Sequence, residues 1–343
     1  MTVELFMPKR AFFEPAALDY PLGRELYERM AAQGIPCRLT PSHNRVLGIP
    51  GATPQSAYRE AKQTLGVGVK KSLKFDSCRP SADYEFALGT GCPGGCQYCY
   101  LATTLGRKPY VRIYVNVDEI LAAVQAYIDQ NRPNITSFEA ASTADPLAVE
   151  HLTGSLRKTI AFFGRQDYGR LRVVSKFTNV DGLLDLEHQG HTKFRFSINT
   201  AYVIETFEAK TAPLNERLTA AGKMAAAGYP LGFIIAPLFL YEHWQADYRR
   251  LLDDLAAWLR PHRPPSLSFE LISHRFTARA KKVILERFPR TKLAMDEQTR
   301  KLKWGKYGYG KYLYPPEQLA TLKNWFTAEL KERFPQAEIE YFT

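Results

Sequence analysis

The chain has 343 residues, 45% hydrophobic and 24% charged, with 46 Lys/Arg against 35 Asp/Glu and five cysteines. That balance suits one large globular core with appendages. It leaves no apolar run near the roughly 20 residues that span a bilayer, no signal-peptide layout at the start, and, with three of five cysteines clustered, no secreted disulfide framework. A reduced, cytoplasmic protein without a membrane segment is expected.

Net charge is +11, and from His274 to Tyr312 twelve Lys/Arg stand against three Asp/Glu, which accounts for +9 of it. A concentrated basic region is what a polyanionic partner needs, although a solvated face is the commoner origin of a charge run.

In chain order, residues 21–33 read as a helix with Leu22, Leu26, Tyr27 and Met30 on one face and Gly34 as its stop. Residues 40–45 form a polar loop, in which His43 is expected to be a surface or hydrogen-bonded histidine. Thr53 and Pro54 open a second helix as cap and first-turn proline, running to Leu65, and 66–75 reads as a strand. From Tyr84 a rhythm begins. Short apolar stretches at 84–89, 135–141, 171–177, 193–199, 230–236 and 266–271 read as strands. Helical segments at 118–130, 150–164, 214–227 and 243–259 lie between most of them, with Asp118 as a cap. Strand–helix alternation predicts a parallel sheet with right-handed crossovers, and six units make a partial barrel. Lys193, Arg195, Ser197 and Asn199 share one face of the fourth strand, and Arg172 and Lys176 one face of the third. A polar inner face suits a barrel lumen holding a polar ligand; an edge strand with a wet side is the plainer alternative.

A basic helix at 276–288 follows. Then Lys301-Leu302-Lys303-Trp304-Gly305-Lys306-Tyr307-Gly308-Tyr309-Gly310-Lys311-Tyr312 reads as a β-hairpin with Lys306 and Tyr307 near its tip. Lysines meet phosphates, and an aromatic tip can wedge among bases. A helix at 316–333 and an extended 337–342 close the chain. The expected organisation is an N-terminal extension (1–83), a partial barrel (84–273) and a basic C-terminal part (274–343).

The chemistry-bearing stretch is Gly91-Cys92-Pro93-Gly94-Gly95-Cys96-Gln97-Tyr98-Cys99-Tyr100. Thiolates hold iron–sulfur clusters, and three of them leave one iron of a cubane open to a small molecule, the arrangement of radical S-adenosylmethionine enzymes. Structural zinc usually takes four protein ligands, and a fourth could come only from Cys37, Cys78 or a histidine.

With these motifs the chain resembles the spore photoproduct lyase family nearly end to end. The likeness is carried by 42–44 and 48–51, Lys74-Phe75-Asp76, Pro80-Ser81-Ala82, the Cys92 loop, Lys108-Pro109-Tyr110, 167–172, 194–199, 269–272, 274–277, Lys303-Trp304-Gly305 and Tyr341-Phe342-Thr343. The resemblance implies a partial (β/α)6 barrel of the radical SAM type. It further implies a [4Fe–4S] cluster on Cys92, Cys96 and Cys99, with S-adenosylmethionine lying along Tyr98, Asp145, Lys176, Ser197 and Ala236. Lys306 and Tyr307 would enter ultraviolet-damaged double-stranded DNA containing the spore photoproduct, and a flavodoxin or ferredoxin would supply electrons, in the spore core or germinating cell. The implied reaction is 5′-deoxyadenosyl radical abstraction of a C6 hydrogen, cleavage of the bridging C–C bond, and return of a hydrogen atom by the protein.

One position departs from the family pattern. Many members carry a donor cysteine in a Glu-Ala-Ala-Cys-Thr context, where this chain has Glu139-Ala140-Ala141-Ser142-Thr143. A serine O–H is too strong to serve. Cys78 is the expected substitute, with Tyr98 and Tyr100 as relays, and an incidental small thiol is the plainer alternative. Cys37 is expected to be structural. A radical SAM enzyme that modifies RNA, and a zinc-containing DNA-binding protein without activity, are the competing readings.

Overall fold

The computed structural model describes residues 4–305 and 308–343. Its main sheet contains six parallel strands in sequence order: β1 (Tyr84–Glu85), β2 (Thr136–Glu139), β3 (Gly169–Ser175), β4 (Thr192–Ile198), β5 (Leu231–Leu238) and β6 (Leu267–Ser273). These are the six expected units. Helices Val117–Asn131, Ser155–Gly164, Leu214–Ala226 and Trp244–Leu259 bury their apolar faces against the sheet, which curls into a half-barrel. Both edges extend beyond the expected set. Asp76–Ser77 pairs antiparallel with β1, and β7 (Glu338–Phe342) pairs parallel with β6.

Several boundaries differ from expectation for local reasons. The stretch 84–89 is not one strand: after β1 the chain changes sheets, and Gly89–Thr90 pairs antiparallel with Val111–Tyr114. The strand expected at 66–75 is Thr64–Gly68, because the Lys70 N–H turns aside to the Asn116 side chain (2.8 Å). The helix expected at 150–164 breaks at Gly154, and the Glu150 carboxylate takes the N–H groups of Leu156 and Arg157 beyond the break. Asn116, not Asp118, is the N-cap residue of Val117–Asn131; Asp118 sits in the first turn and pairs with Lys158.

A second sheet runs Cys37–Leu39, Arg10–Phe13, Thr64–Gly68, Val111–Tyr114, Gly89–Thr90. The N-terminal segment therefore shares a sheet with strands on either side of the cysteine loop. Cys37 packs at the edge of this sheet's core. His43 is buried rather than at the surface, and its backbone N–H goes to Glu14 (2.9 Å). Thr53 caps Pro54–Ala61 through a reciprocal capping box with Ser56.

The inner face of the half-barrel is polar, as the alternation of β4 requires. Arg195 is buried between Glu139 and Glu270, Arg172 reaches Glu270 and Glu340, and Lys193 reaches Glu340 at 2.7 Å. β4 lies between β3 and β5, so its polar side faces this network and is not a wet edge. Gly232 makes room for it: a Cβ there would lie 2.8 Å from Arg195 Cγ.

The hairpin forms from Lys301–Trp304 and Gly310–Leu313. Its base docks where Phe276 stacks on Tyr312 at 5.3 Å. Lys306 and Tyr307 lie outside the described residues.

Candidate active site

The cysteine loop is pinned from both sides. Gly95–Cys96 pairs antiparallel with Glu208–Ala209, and Gln97 donates from its backbone to Phe207 O (2.8 Å) and from its side chain to Thr206 O (3.0 Å). Cys99 caps the short helix Tyr100–Thr104, its sulfur accepting the Ala102 N–H at 3.4 Å; Cys92 sulfur accepts the Gly94 N–H at 3.3 Å. A Cβ on Gly94 would sit 3.0 Å from Thr211 Cγ2 and 3.3 Å from Cys92 Sγ, so glycine keeps the space over that sulfur open.

Burial pushes the Cys92 thiol up to about 12 and Cys96 higher still; Asp145 adds to the first rise and Glu208 to the second, while Lys62 and Lys176 work against them. A cationic metal centre reverses that balance and binds the thiolates outright. Among the described residues, no group of three or more His, Cys, Asp or Glu is placed to hold a single metal ion. The donor set of three thiols on a glycine-opened loop, two of them already receiving N–H bonds, fits a cubane, which takes cysteine thiolates as its ligands.

Beside the loop, the sequence-predicted residues gather on a partner that sequence reasoning missed. Glu208 is buried, accepts from the Tyr98 hydroxyl, and pairs with Lys176 Nζ (3.2 Å) and Arg217 (2.6 Å). Against burial, Lys176 and Arg217 hold its carboxyl down to about 2. Lys176 Nζ also donates to Ser197 Oγ (2.6 Å), and Arg217 donates to Ser197 O (2.8 Å). Burial first, and then Glu208, pushes the Tyr98 phenol well up. Nothing in the sequence pattern marks Glu208 or Arg217. Glu208 sits in a two-residue strand, and Arg217 on the otherwise apolar buried face of its helix.

Asp145 accepts from Ser175 Oγ (2.8 Å) and from the Lys176 N–H (3.1 Å), and its side chain makes no capping bond to the turn that follows. Burial outweighs these bonds and pushes it up to about 6. Ala236 is half-buried near the end of β5, two residues beyond Ile234, which pairs with Ser197. Tyr98, Lys176 and Ser197 are thus brought together directly, with Asp145 one peptide away. Tyr100 stands apart. It is 59% exposed and lies beside Tyr309 of the hairpin and Arg275.

Cys78 opens a tight turn, its carbonyl accepting the Ser81 and Ala82 N–H groups. Ser81 Oγ donates to Glu139 (2.9 Å) and accepts from Arg195 (3.0 Å), which ties the turn to the charged interior. Burial, with Glu139 and Glu85 nearby, pushes the Cys78 thiol up to about 12. Ser142 follows β2, and its buried hydroxyl has no partner.

The family model described as spore photoproduct lyase matches residues 6–343. The spore photoproduct lyase of Geobacillus sp. (strain Y412MC61) is 53% identical over 338 residues, 98% of this chain and 99% of that protein. The Bacillus subtilis (strain 168) spore photoproduct lyase is 50% identical over the same shares. A solved spore photoproduct lyase complexed with dinucleoside spore photoproduct superposes with a TM-score of 0.97 at 53% identity, covering 99% of this chain and 100% of that one. A double variant of spore photoproduct lyase, one cysteine changed to alanine and one serine to cysteine, has AdoMet and dinucleoside spore photoproduct bound and gives the same TM-score, identity and coverage. A half-barrel of the expected kind, a family match spanning nearly every residue, and relatives identical at half their positions together establish that this chain belongs to the spore photoproduct lyase family.

Proposed function

We propose that this chain reverses the spore photoproduct, 5-thyminyl-5,6-dihydrothymine, to two thymines in double-stranded DNA by a radical SAM route. Cys92, Cys96 and Cys99 hold a [4Fe–4S] cluster. When bound, that cluster supplies the electron that converts S-adenosylmethionine to methionine and the 5′-deoxyadenosyl radical, the species that removes the C6 hydrogen. An external one-electron donor of the flavodoxin or ferredoxin class reduces it.

The chain's own residues bind, orient and return hydrogen. A lysine ammonium has three donors, and two on Lys176 go to Ser197 and Glu208. The third, fixed in direction by those two, meets the carboxylate of S-adenosylmethionine. Asp145 accepts from its amino or hydroxyl groups, while Ser197, Ala236 and Tyr98 border it. The described arms of the hairpin expose Lys301, Lys303 and Trp304, the last 69% accessible, to a duplex. Lys306 and Tyr307 are assigned to the lesion.

Cys78 returns the hydrogen atom to the thymine radical, and the thiyl radical left behind is relayed through Tyr98 and Tyr100 to 5′-deoxyadenosine, which gives back the hydrogen it took. The observation that carries this reading is the state of the two candidate donors. The Cys78 thiol, pushed up to about 12, keeps its S–H throughout the neutral range, as hydrogen-atom donation requires. Ser142 offers only a hydroxyl.

The deciding experiment is repair of a dinucleoside spore photoproduct by reconstituted protein, Cys78→Ala beside wild type. Thymine yield is expected to fall about tenfold or more, equivalent to at least ~1.4 kcal/mol of lost barrier lowering, with trapped thymine-radical adducts accumulating. Unchanged yield and no adducts would sink the assignment.

A further inference from the structure

Beside the cysteine loop lies a residue without a role so far. Tyr58 sits on Pro54–Ala61, a helix of the N-terminal segment, and is only 7% exposed. Its hydroxyl is buried and has no hydrogen-bond partner among the described residues. An orphaned buried hydroxyl costs roughly 1–3 kcal/mol, and the surroundings hold this one firmly. Arg287 lies 4.8 Å over the Tyr58 ring, Lys62 Nζ lies 5.5 Å over it, and Phe288 meets its edge at 5.3 Å.

Two of those neighbours grip the loop itself. Lys62, one turn after Tyr58, donates to Cys92 O at 2.6 Å. Arg287 donates to Ala102 O (2.7 Å) and Gly106 O (2.5 Å), the segment that Cys99 caps. Tyr58 is therefore flanked by one cation bonded to the Cys92 carbonyl and another bonded to the Ala102 carbonyl. All three thiols lie near enough that ionising any of them opposes ionisation of the phenol, Cys99 most and Cys92 least.

We propose that the Tyr58 hydroxyl is a hydrogen-bond donor to the sulfur face of the cluster and sets its reduction potential, a positioning role resting on the cluster assignment above. A hydrogen bond to cluster sulfur stabilises the more negative, reduced state and raises the potential. Tyr58 donates only one such bond, and the Lys62 and Arg287 cations beside it act in the same direction. The hydroxyl that has no partner in the protein alone is satisfied when the cluster is present. Electron entry from a weak reductant then becomes easier.

The test is Tyr58→Phe, which removes the hydroxyl and keeps the ring for Arg287, Lys62 and Phe288. After anaerobic reconstitution, a redox titration followed by electron paramagnetic resonance is expected to show a more negative midpoint. At fixed potential the reduced-to-oxidised ratio falls about tenfold, a shift of about 59 mV for one electron. An exchangeable-proton coupling in the electron–nuclear double resonance spectrum of the reduced wild type disappears in the variant. Metal-free Tyr58→Phe is expected to unfold at the wild-type denaturant midpoint or higher, which separates a lost cluster contact from damaged packing. An iron-loaded variant with unmoved midpoint and retained proton coupling overturns this proposal alone. A wild-type chain that takes up no iron overturns the cluster assignment with it.

Discussion

The half-barrel carries two polar regions on the same strands, and they are built differently. Toward the interior, Arg172, Lys193 and Arg195 meet Glu139, Glu270 and Glu340, and the Tyr341 hydroxyl donates to Glu270. Among the described residues, only the Nε atoms of Arg172 and Arg195 are buried there without a partner. Around the cysteine loop, by contrast, Tyr58 and Ser142 keep buried hydroxyls unpartnered, and Asp145 is held as a carboxylate that burial disfavours. The interior balances its charges within the chain. The rim keeps two hydroxyls without a partner among the described residues, and a carboxylate that burial disfavours. A polar cluster is thus informative about function through what it fails to satisfy, not through its charge alone.

Three measurements probe that contrast. The largest effect is expected in the interior: Arg195→Met leaves buried Glu139 without a cation and Glu270 with Arg172 alone, and should cost about 3–5 kcal/mol in denaturant unfolding of the metal-free protein. A loss below ~1 kcal/mol would mean that water already reaches the network.

The second measurement uses pH, because Glu340 in the interior and Asp145 beside the loop shift in opposite directions. Glu340 is pushed down to about 2, against burial, by Arg172 and Lys193, from an ordinary 4.5. Its contribution is therefore present above pH 4.5 and lost as pH falls toward 2. Asp145 is raised from 3.8 to about 6, so its contribution is present below pH 3.8 and lost as pH rises through 6. Glu340→Gln should be most destabilised relative to wild type at neutral pH and converge with it in acid. Asp145→Asn should gain on wild type between pH 4 and 6. Each difference is on the order of 2 kcal/mol, with the Glu340 value discounted for solvent screening. Parallel profiles for the two variants would erase the distinction.

The smallest effect is at Ser142. Removing an unsatisfied buried hydroxyl in Ser142→Ala should change stability by no more than about 1 kcal/mol, and in the stabilising direction. A marked loss would show that the hydroxyl has an internal partner after all.

The sequence made the six-strand rhythm, the polar face of β4 and the cysteine loop legible, because each rests on a short local period or spacing. Lys176, Ser197, Tyr98 and Asp145 came from family likeness and converge in the fold. Glu208, Arg217 and Tyr58 were not legible. Glu208 reaches Tyr98 across 110 residues of chain, and Arg287 reaches Ala102 across 185, so no local pattern announces either contact. The split of 84–89 between two sheets was equally hidden, since apolar residues on both sides of a sheet change read as one run. Gly154 broke a helix whose hydrophobic period continues through it.

The closing strand has a kinetic consequence. Glu340 on β7 meets Arg172 across 168 residues of chain and Lys193 across 147. Until that strand docks on β6, two cations on the central strands lack this carboxylate, and Ser268 Oγ, which accepts from Lys193 at 3.3 Å, is the neutral group left to them besides Glu270. Loop closure over such separations is slow compared with local helix formation. The half-barrel should therefore assemble first as a charge-unbalanced curl and become resistant to opening only when β7 arrives. The last strand completes the charge balance of the interior and is not merely one more edge of the sheet.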